Sequence, residues 1–119
     1  LVAEDNRVNQ KLIQTILEKR GHTVVLAEHG KDALGMLDRI CFDVILMDVH
    51  MPEMDGIEAT QQLRAKEQGT NRHIPVIALT ANALAGDRER FLAAGMDGYV
   101  SKPIDQTELF KAISTVLRQ

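Results

Sequence analysis

Four short stretches place a carboxylate, a hydroxyl or an amine where an apolar run stops. Glu4-Asp5 follows Leu1-Val2-Ala3, and Asp48 closes Phe42-Asp43-Val44-Ile45-Leu46-Met47 just before a Pro52-Glu53-Met54-Asp55-Gly56 turn. Thr80 ends Ile74-Pro75-Val76-Ile77-Ala78-Leu79, and Lys102-Pro103 follows Met96-Asp97-Gly98-Tyr99-Val100-Ser101. Apolar runs without helical periodicity read as strands covered on both faces, the usual state in a parallel sheet. In an open α/β sheet the carboxyl ends of such strands open into the ligand crevice. Three carboxylates brought together there repel one another and raise each other's pKa unless a cation sits among them. A hard divalent ion such as Mg²⁺ resolves this, because it takes carboxylate and carbonyl oxygens and bridges to a phosphoryl oxygen. These residue types are those that phosphoryl transfer requires.

The elements that must position them follow in chain order. After a first strand at Leu1 to Ala3, Asn6 is placed to cap a helix over Val8 to Arg20, with Val8, Leu12, Ile13, Ile16 and Leu17 on one stripe and Gly21 as its left-handed stop. Thr23 to Ala27 is a β-branched second strand, and Gly30 marks the turn after it. Lys31 to Ile40 returns to helical spacing through Ala33, Leu34, Leu37 and Ile40. Beyond the strand that ends on Asp48, a helix from about Gly56 to Glu67 carries Ile57 and Leu63 inward, and Gln68 to His73 is a loop. The fourth strand holds Pro75 near its start, where a missing amide is tolerated. Asn82 to Ala94 is helical at least from Asp87, with Gly95 its stop, and a weak fifth strand follows. Asp105 or Gln106 opens the last helix, through Leu109, Phe110, Ile113, Val116 and Leu117. Short connections between alternating strands and helices predict a parallel sheet with helices on both faces and right-handed crossovers.

At 119 residues the chain suits a single domain, residues 1–119. A formal charge of -3 and a pI near 5.8 give no basic field, which argues against direct nucleic-acid binding. Cys41 is the only cysteine, so no internal disulfide is available, and a reducing, cytoplasmic setting is the simplest expectation. No apolar run approaches the ~20 residues that span a bilayer and no signal-peptide pattern is present, so direct membrane insertion is not expected. The abrupt opening in strand-like sequence suggests that the numbering begins inside a longer polypeptide.

The ordered motifs Val2-Ala3-Glu4-Asp5-Asn6, Met47-Asp48-Val49-His50-Met51-Pro52-Glu53-Met54-Asp55-Gly56, Ala78-Leu79-Thr80-Ala81 and Tyr99-Val100-Ser101-Lys102-Pro103 cover essentially the whole chain. In them the chain resembles the receiver domain of two-component signalling. The Glu-Asp-Asn-x-x-Asn-Gln opening and the Leu-Thr-Ala-Asn-Ala-Leu-Ala-Gly-Asp-Arg segment look most like receivers of hybrid sensor histidine kinases. The resemblance implies a flavodoxin-like, doubly wound five-stranded parallel sheet of order 2-1-3-4-5 flanked by five helices. It implies that Asp48 takes a phosphoryl group from a phosphohistidine as nucleophile. Glu4, Asp5, Asp48 and the main-chain carbonyl of His50 would hold Mg²⁺, and Lys102 and Thr80 would each contact a phosphoryl oxygen. Thr80 and Tyr99 would form a switch acting on a surface of the fourth helix, fifth strand and last helix. The Lys102-Pro103 bond is expected to be cis. Partners would be a histidine kinase or a histidine phosphotransfer domain, in the cytoplasm or on the cytoplasmic part of a membrane-bound kinase. The last helix also leaves room for a homodimer.

Two other function classes meet the same residues. A Mg²⁺-dependent phosphatase with an aspartyl nucleophile usually carries a second aspartate two residues on, where this chain has His50. A binding module without phosphorylation, such as a flavin carrier or a degenerate receiver, is opposed by the intact acidic, hydroxyl and amine positions and by the lack of a Gly-rich loop after Ala3. His50 and Asn82, two residues past Asp48 and Thr80, are assigned to tuning the lifetime of the aspartyl phosphate. Met47, Met51, Met54 and Met96 read as core and loop packing. His22, His29 and His73 receive no function.

Overall fold

The computed structural model describes residues 1–49, 51, 54–70, 72–81 and 87–117. Strands and helices alternate as β1 (Val2–Ala3), α1 (Arg7–Lys19), β2 (Leu26–Ala27), α2 (Gly30–Leu37), β3 (Ile45–Asp48), α3 (Gly56–Glu67), β4 (Val76–Thr80), α4 (Asp87–Ala93), β5 (Gly98–Ser101) and α5 (Gln106–Leu117). All strand pairs are parallel, in the order β2-β1-β3-β4-β5. The chain therefore winds outward from β1 in one direction and from β3 in the other, as the resemblance implied.

Successive strand residues point to opposite faces, and the two faces fill different cores. Ala3, Ile45, Met47, Val76 and Ala78 pack with Ala33, Leu34, Ala59, Leu63 and Phe91, beneath α2, α3 and α4. Val2, Leu46, Ile77, Leu79 and Val100 pack with Ile13, Ile16, Leu17, Leu109, Ile113 and Val116 of α1 and α5. Asn6 caps α1, its side chain accepting from Val8 N and Asn9 N, and Asp55 caps α3 through Glu58 N. His29 caps α2, its ring accepting from Asp32 N, a role that its sequence position did not announce.

Four expectations need correction. The helix expected over Lys31 to Ile40 ends at Leu37, and Ile40 lies beyond it, 45% exposed. The buried stripe of α1 is Ile13, Ile16 and Leu17, whereas Val8 is 77% and Leu12 45% exposed. At 3.6 residues per turn, Val8 lies roughly 130° around the helix from the middle of that stripe. On α5, Leu109, Ile113 and Val116 are buried, but Leu117, roughly 70–80° off their line and last in the helix, is exposed. The strands are also shorter than their apolar runs. The β2 ladder holds only Leu26–Ala27, and β3 starts at Ile45 because exposed Asp43 and half-buried Phe42 and Val44 precede the ladder.

At the amino ends of β4 and β5 one guanidinium ties three segments together. Arg64 Nε donates to Gly95 O at 2.9 Å, Nη1 to Ile74 O at 2.9 Å and to Glu67 Oε1 at 2.6 Å, and Nη2 to Asp97 Oδ2 at 2.9 Å. Asp97 Oδ2 also accepts from Val76 N, and Glu67 Oε2 from Ile74 N. Gly95, at φ 102°, turns its carbonyl into this network, and a side chain there would meet both the left-handed strain and the Arg64 stem. Replacing Arg64 by Leu removes the buried cation from two largely buried carboxylates, leaving Val76 N and His73 on Asp97 and Ile74 N on Glu67. We expect a loss of about 2–4 kcal/mol, toward the low end for a broken buried pair because the atoms keep some access to water. Urea unfolding of the variant beside the parent chain measures it.

Candidate functional site

The carboxyl edge of the sheet gathers the sequence-predicted side chains. Glu4 and Asp5 directly follow β1, Asp48 is the last residue of β3, Thr80 the last of β4, and Lys102 the first beyond β5. Glu4, Asp48 and Thr80 are nearly sealed, at 1–2% exposure, while Asp5 is exposed. One oxygen from each of Glu4, Asp5 and Asp48 lies within 4.8 Å of the others. Lys102 crosses the sheet to them, with Nζ 2.9 Å from Asp48 Oδ2 and 3.1 Å from Glu4 Oε2. A main-chain bond, Lys102 N to Thr80 O at 2.7 Å, anchors it there. The Lys102-Pro103 bond is cis, as expected.

The electrostatics are those of too much negative charge in too little water. Burial first, then the adjacent Asp48 carboxylate, push Glu4 above the ordinary carboxylate range, against the pull of Asn9 and Lys102. Burial works to lower Lys102, but its hydrogen bonds to Asp48 and Glu4 outweigh it and hold the ammonium above the usual lysine range. Glu4 Oε2 is buried and accepts no hydrogen bond; Lys102 Nζ approaches it outside hydrogen-bonding geometry. An orphaned, buried carboxylate oxygen among three acids fits a hard cation, which takes oxygen ligands and neutralises the charge that Lys102 alone leaves.

Thr80 and Tyr99 share a sheet face, because Ala78 pairs with Tyr99 in the register and Thr80 lies two residues past Ala78. Tyr99 is 41% exposed, its ring tilted against Phe91 at 6.3 Å between centroids.

Residues 1–114 match the family described as response regulator receiver domain. The chain belongs to that family. This receiver is 48% identical over 120 residues to hybrid signal transduction histidine kinase I of Dictyostelium discoideum, covering 97% of the chain but 7% of that protein. It is 38% identical over 117 residues to the polar-differentiation response regulator DivK of Brucella anthropi, covering 98% of the chain and 94% of that protein. In structure it is similar to the receiver domain of a sensor histidine kinase from Pseudomonas aeruginosa, at TM-score 0.87 and 42% identity over 99% of this chain and 95% of that one. That neighbour carries a magnesium ion coordinated in its active-site cleft. The receiver thus spans only a small fraction of a hybrid kinase and nearly all of a stand-alone regulator.

The structure brings Glu4, Asp5, Asp48, Thr80 and Lys102 to one sheet edge, and His50 and Asn82 lie outside the described residues. Sequence spacing missed Asn9 and Gln10, whose side chains both donate to Glu4. The signal was present in the Asn-x-x-Asn-Gln string after the acidic pair, but helical spacing alone does not say which way an amide turns. It also missed the close approach of α3 to the end of β3. A Cβ on Gly56 would lie 2.2 Å from Asp48 O, a fixed backbone atom. Gly56→Ala must therefore displace either α3 or the end of β3. We expect about 1–3 kcal/mol of destabilisation, read by thermal melting, together with a loss of Asp48 phosphorylation disproportionate to the folded fraction.

Proposed function

We propose that this receiver is a phosphoacceptor, with Asp48 taking a phosphoryl group from a phosphohistidine. The observation that carries the reading is the buried Asp48 carboxylate set between two further acids and the Lys102 ammonium at 2.9 Å. An Asp48 carboxylate oxygen attacks phosphorus, the phosphorus–nitrogen bond breaks, and the imidazole leaves with the bonding pair and takes a proton from water. Later attack by water returns the carboxylate and inorganic phosphate. Glu4, Asp5 and Asp48, with the His50 carbonyl, would hold Mg²⁺, which would offset charge on the transferring group. Lys102, already paired with Asp48, needs only a small shift to contact a phosphoryl oxygen as a point charge. The Thr80 hydroxyl turns to another oxygen, and Tyr99, on the same face, follows it inward. By their sequence positions, two residues past Asp48 and Thr80, His50 and Asn82 would tune the lifetime of the acyl phosphate.

The switched surface is the groove of about 730 Å³ beside β5, lined by Phe91, Leu92, Tyr99, Glu108, Lys111 and Thr115 among others. The phosphoryl donor meets the molecule elsewhere. Val8 and Leu12 are exposed apolar residues on α1, which starts two residues after Asp5, and they offer an apolar contact beside the site to a histidine kinase or phosphotransfer domain. Both partners act in the cytoplasm, and the attached protein is a hybrid kinase passing phosphate onward. Among the described residues no helix is long and apolar enough to cross a membrane.

Intact-mass spectrometry after incubation with acetyl phosphate and Mg²⁺ tests the chemistry. A single phosphoryl adduct is expected, absent in Asp48→Asn and absent with a chelator. No adduct on a folded, Mg²⁺-binding chain, even with phosphohistidine donors, would leave a degenerate receiver that works through protein contacts. A second measurement separates chemistry from docking. Val8→Asp with Leu12→Asp should leave acetyl-phosphate labelling unchanged and slow transfer from a phosphorylated histidine phosphotransfer domain by tenfold or more, about the effect of losing 1.4 kcal/mol of contact.

A further inference from the structure

Glu4 has a longer arm than the aspartates beside it, and its surroundings hold that arm at both ends. Three donors converge on Oε1: Asn6 N at 3.3 Å, Asn9 Nδ2 at 3.2 Å and Lys102 Nζ at 3.4 Å. Gln10 Nε2 donates to the main-chain oxygen of the same residue. Oε2, by contrast, is buried in a side chain 1% exposed and accepts no hydrogen bond, although the Lys102 ammonium stands 3.1 Å from it as an ion pair. The division of labour comes from the start of α1. Asn6 spends its own oxygen on the cap, accepting from Val8 N and Asn9 N, and this fixes the first turn. Helical side chains lean toward the amino end of their helix, so Asn9 and Gln10 reach back to the end of β1 instead of out to solvent.

We infer that Asn9 and Gln10 are positioning residues that clamp Glu4, one at the carboxylate and one at the backbone, so that Oε2 is the oxygen left for a divalent cation. A free glutamate loses rotamer freedom when it takes up a metal, and that loss weakens binding. A glutamate already frozen by its neighbours has less to lose. Amide donors suit the task because they hold the oxygen without adding charge that would compete with the ion. Partners that orient a ligand in this way typically change metal affinity by about 10–100-fold when removed. The inference rests on the reading of Glu4, Asp5 and Asp48 as a cation site.

The test is a Mg²⁺ titration by calorimetry on the chain and on Asn9→Ala, Gln10→Ala, Glu4→Asp and the double variant Glu4→Asp with Asn9→Ala, with the ion-free melting temperature of each. Asn9→Ala and Gln10→Ala should each weaken Mg²⁺ binding, the former by about tenfold. The ion-free melting temperature should change little, because the better helix propensity of alanine offsets part of the hydrogen bond that is lost. Aspartate is one methylene too short to reach Asn9, so in the Glu4→Asp background the added Asn9→Ala should change the Kd by less than about twofold. An Asn9→Ala Kd within twofold of the parent's overturns the clamp. So does an equal loss in both backgrounds, or a loss that follows a lowered melting temperature. A parent chain that binds no Mg²⁺ overturns the cation site itself, which keeps the two failures apart.

Discussion

Crowded negative charge at the carboxyl edge of the sheet is the constraint on which the rest of the molecule depends. Glu4, Asp5 and Asp48 stand within 4.8 Å of one another at the ends of β1 and β3, two central neighbours in the sheet. Two of the three are almost sealed from water, where like charges repel most strongly. Only a rigid frame can keep such groups together against that repulsion. The frame is a sheet whose two faces are filled by separate apolar cores, so neither strand end can move without disturbing a core. Lys102 is held to the same point from the far edge of the sheet and supplies part of the missing positive charge.

The fold was largely legible because the signal that specifies it is coarse. Continuous apolar strands, a single-residue cap such as Asn6, and short connections between them leave few topologies open. The site was legible for a related reason: its members fall at strand ends, and strand ends are the easiest points to locate in a doubly wound pattern. What escaped was directional. Val8 and Leu12 share the spacing of a buried stripe, yet their azimuth turns them off the sheet, and spacing alone does not fix the direction in which a helix faces its core. Asn9 and Gln10 look like polar helix surface until the end of β1 is placed beside them. Asp97 looks like a turn residue, but it links Val76 N, Arg64 and His73 across more than twenty residues of sequence. His29 replaces the more usual small polar cap and performs it with a ring nitrogen.

Family membership and geometry bear on different questions. Similarity to hybrid kinases and to a stand-alone regulator assigns the chain to receivers, and the same domain serves both architectures. The assignment leaves open what a particular receiver does with its acidic cluster. That is decided by details such as the choice of glutamate at the first acidic position and the amides that hold it.

The Arg64 network lies at the opposite end of the sheet from Asp48, joining the entrances of β4 and β5 to α3. Its effect is to fasten β4 and β5 by side chains where they begin, whereas where they end a backbone bond, Lys102 N to Thr80 O at 2.7 Å, joins them beside the acidic cluster. In the proposed switch, a disturbance at the tip of β4 would pass sideways, from Thr80 to the neighbouring strand and the aromatic side chain it carries.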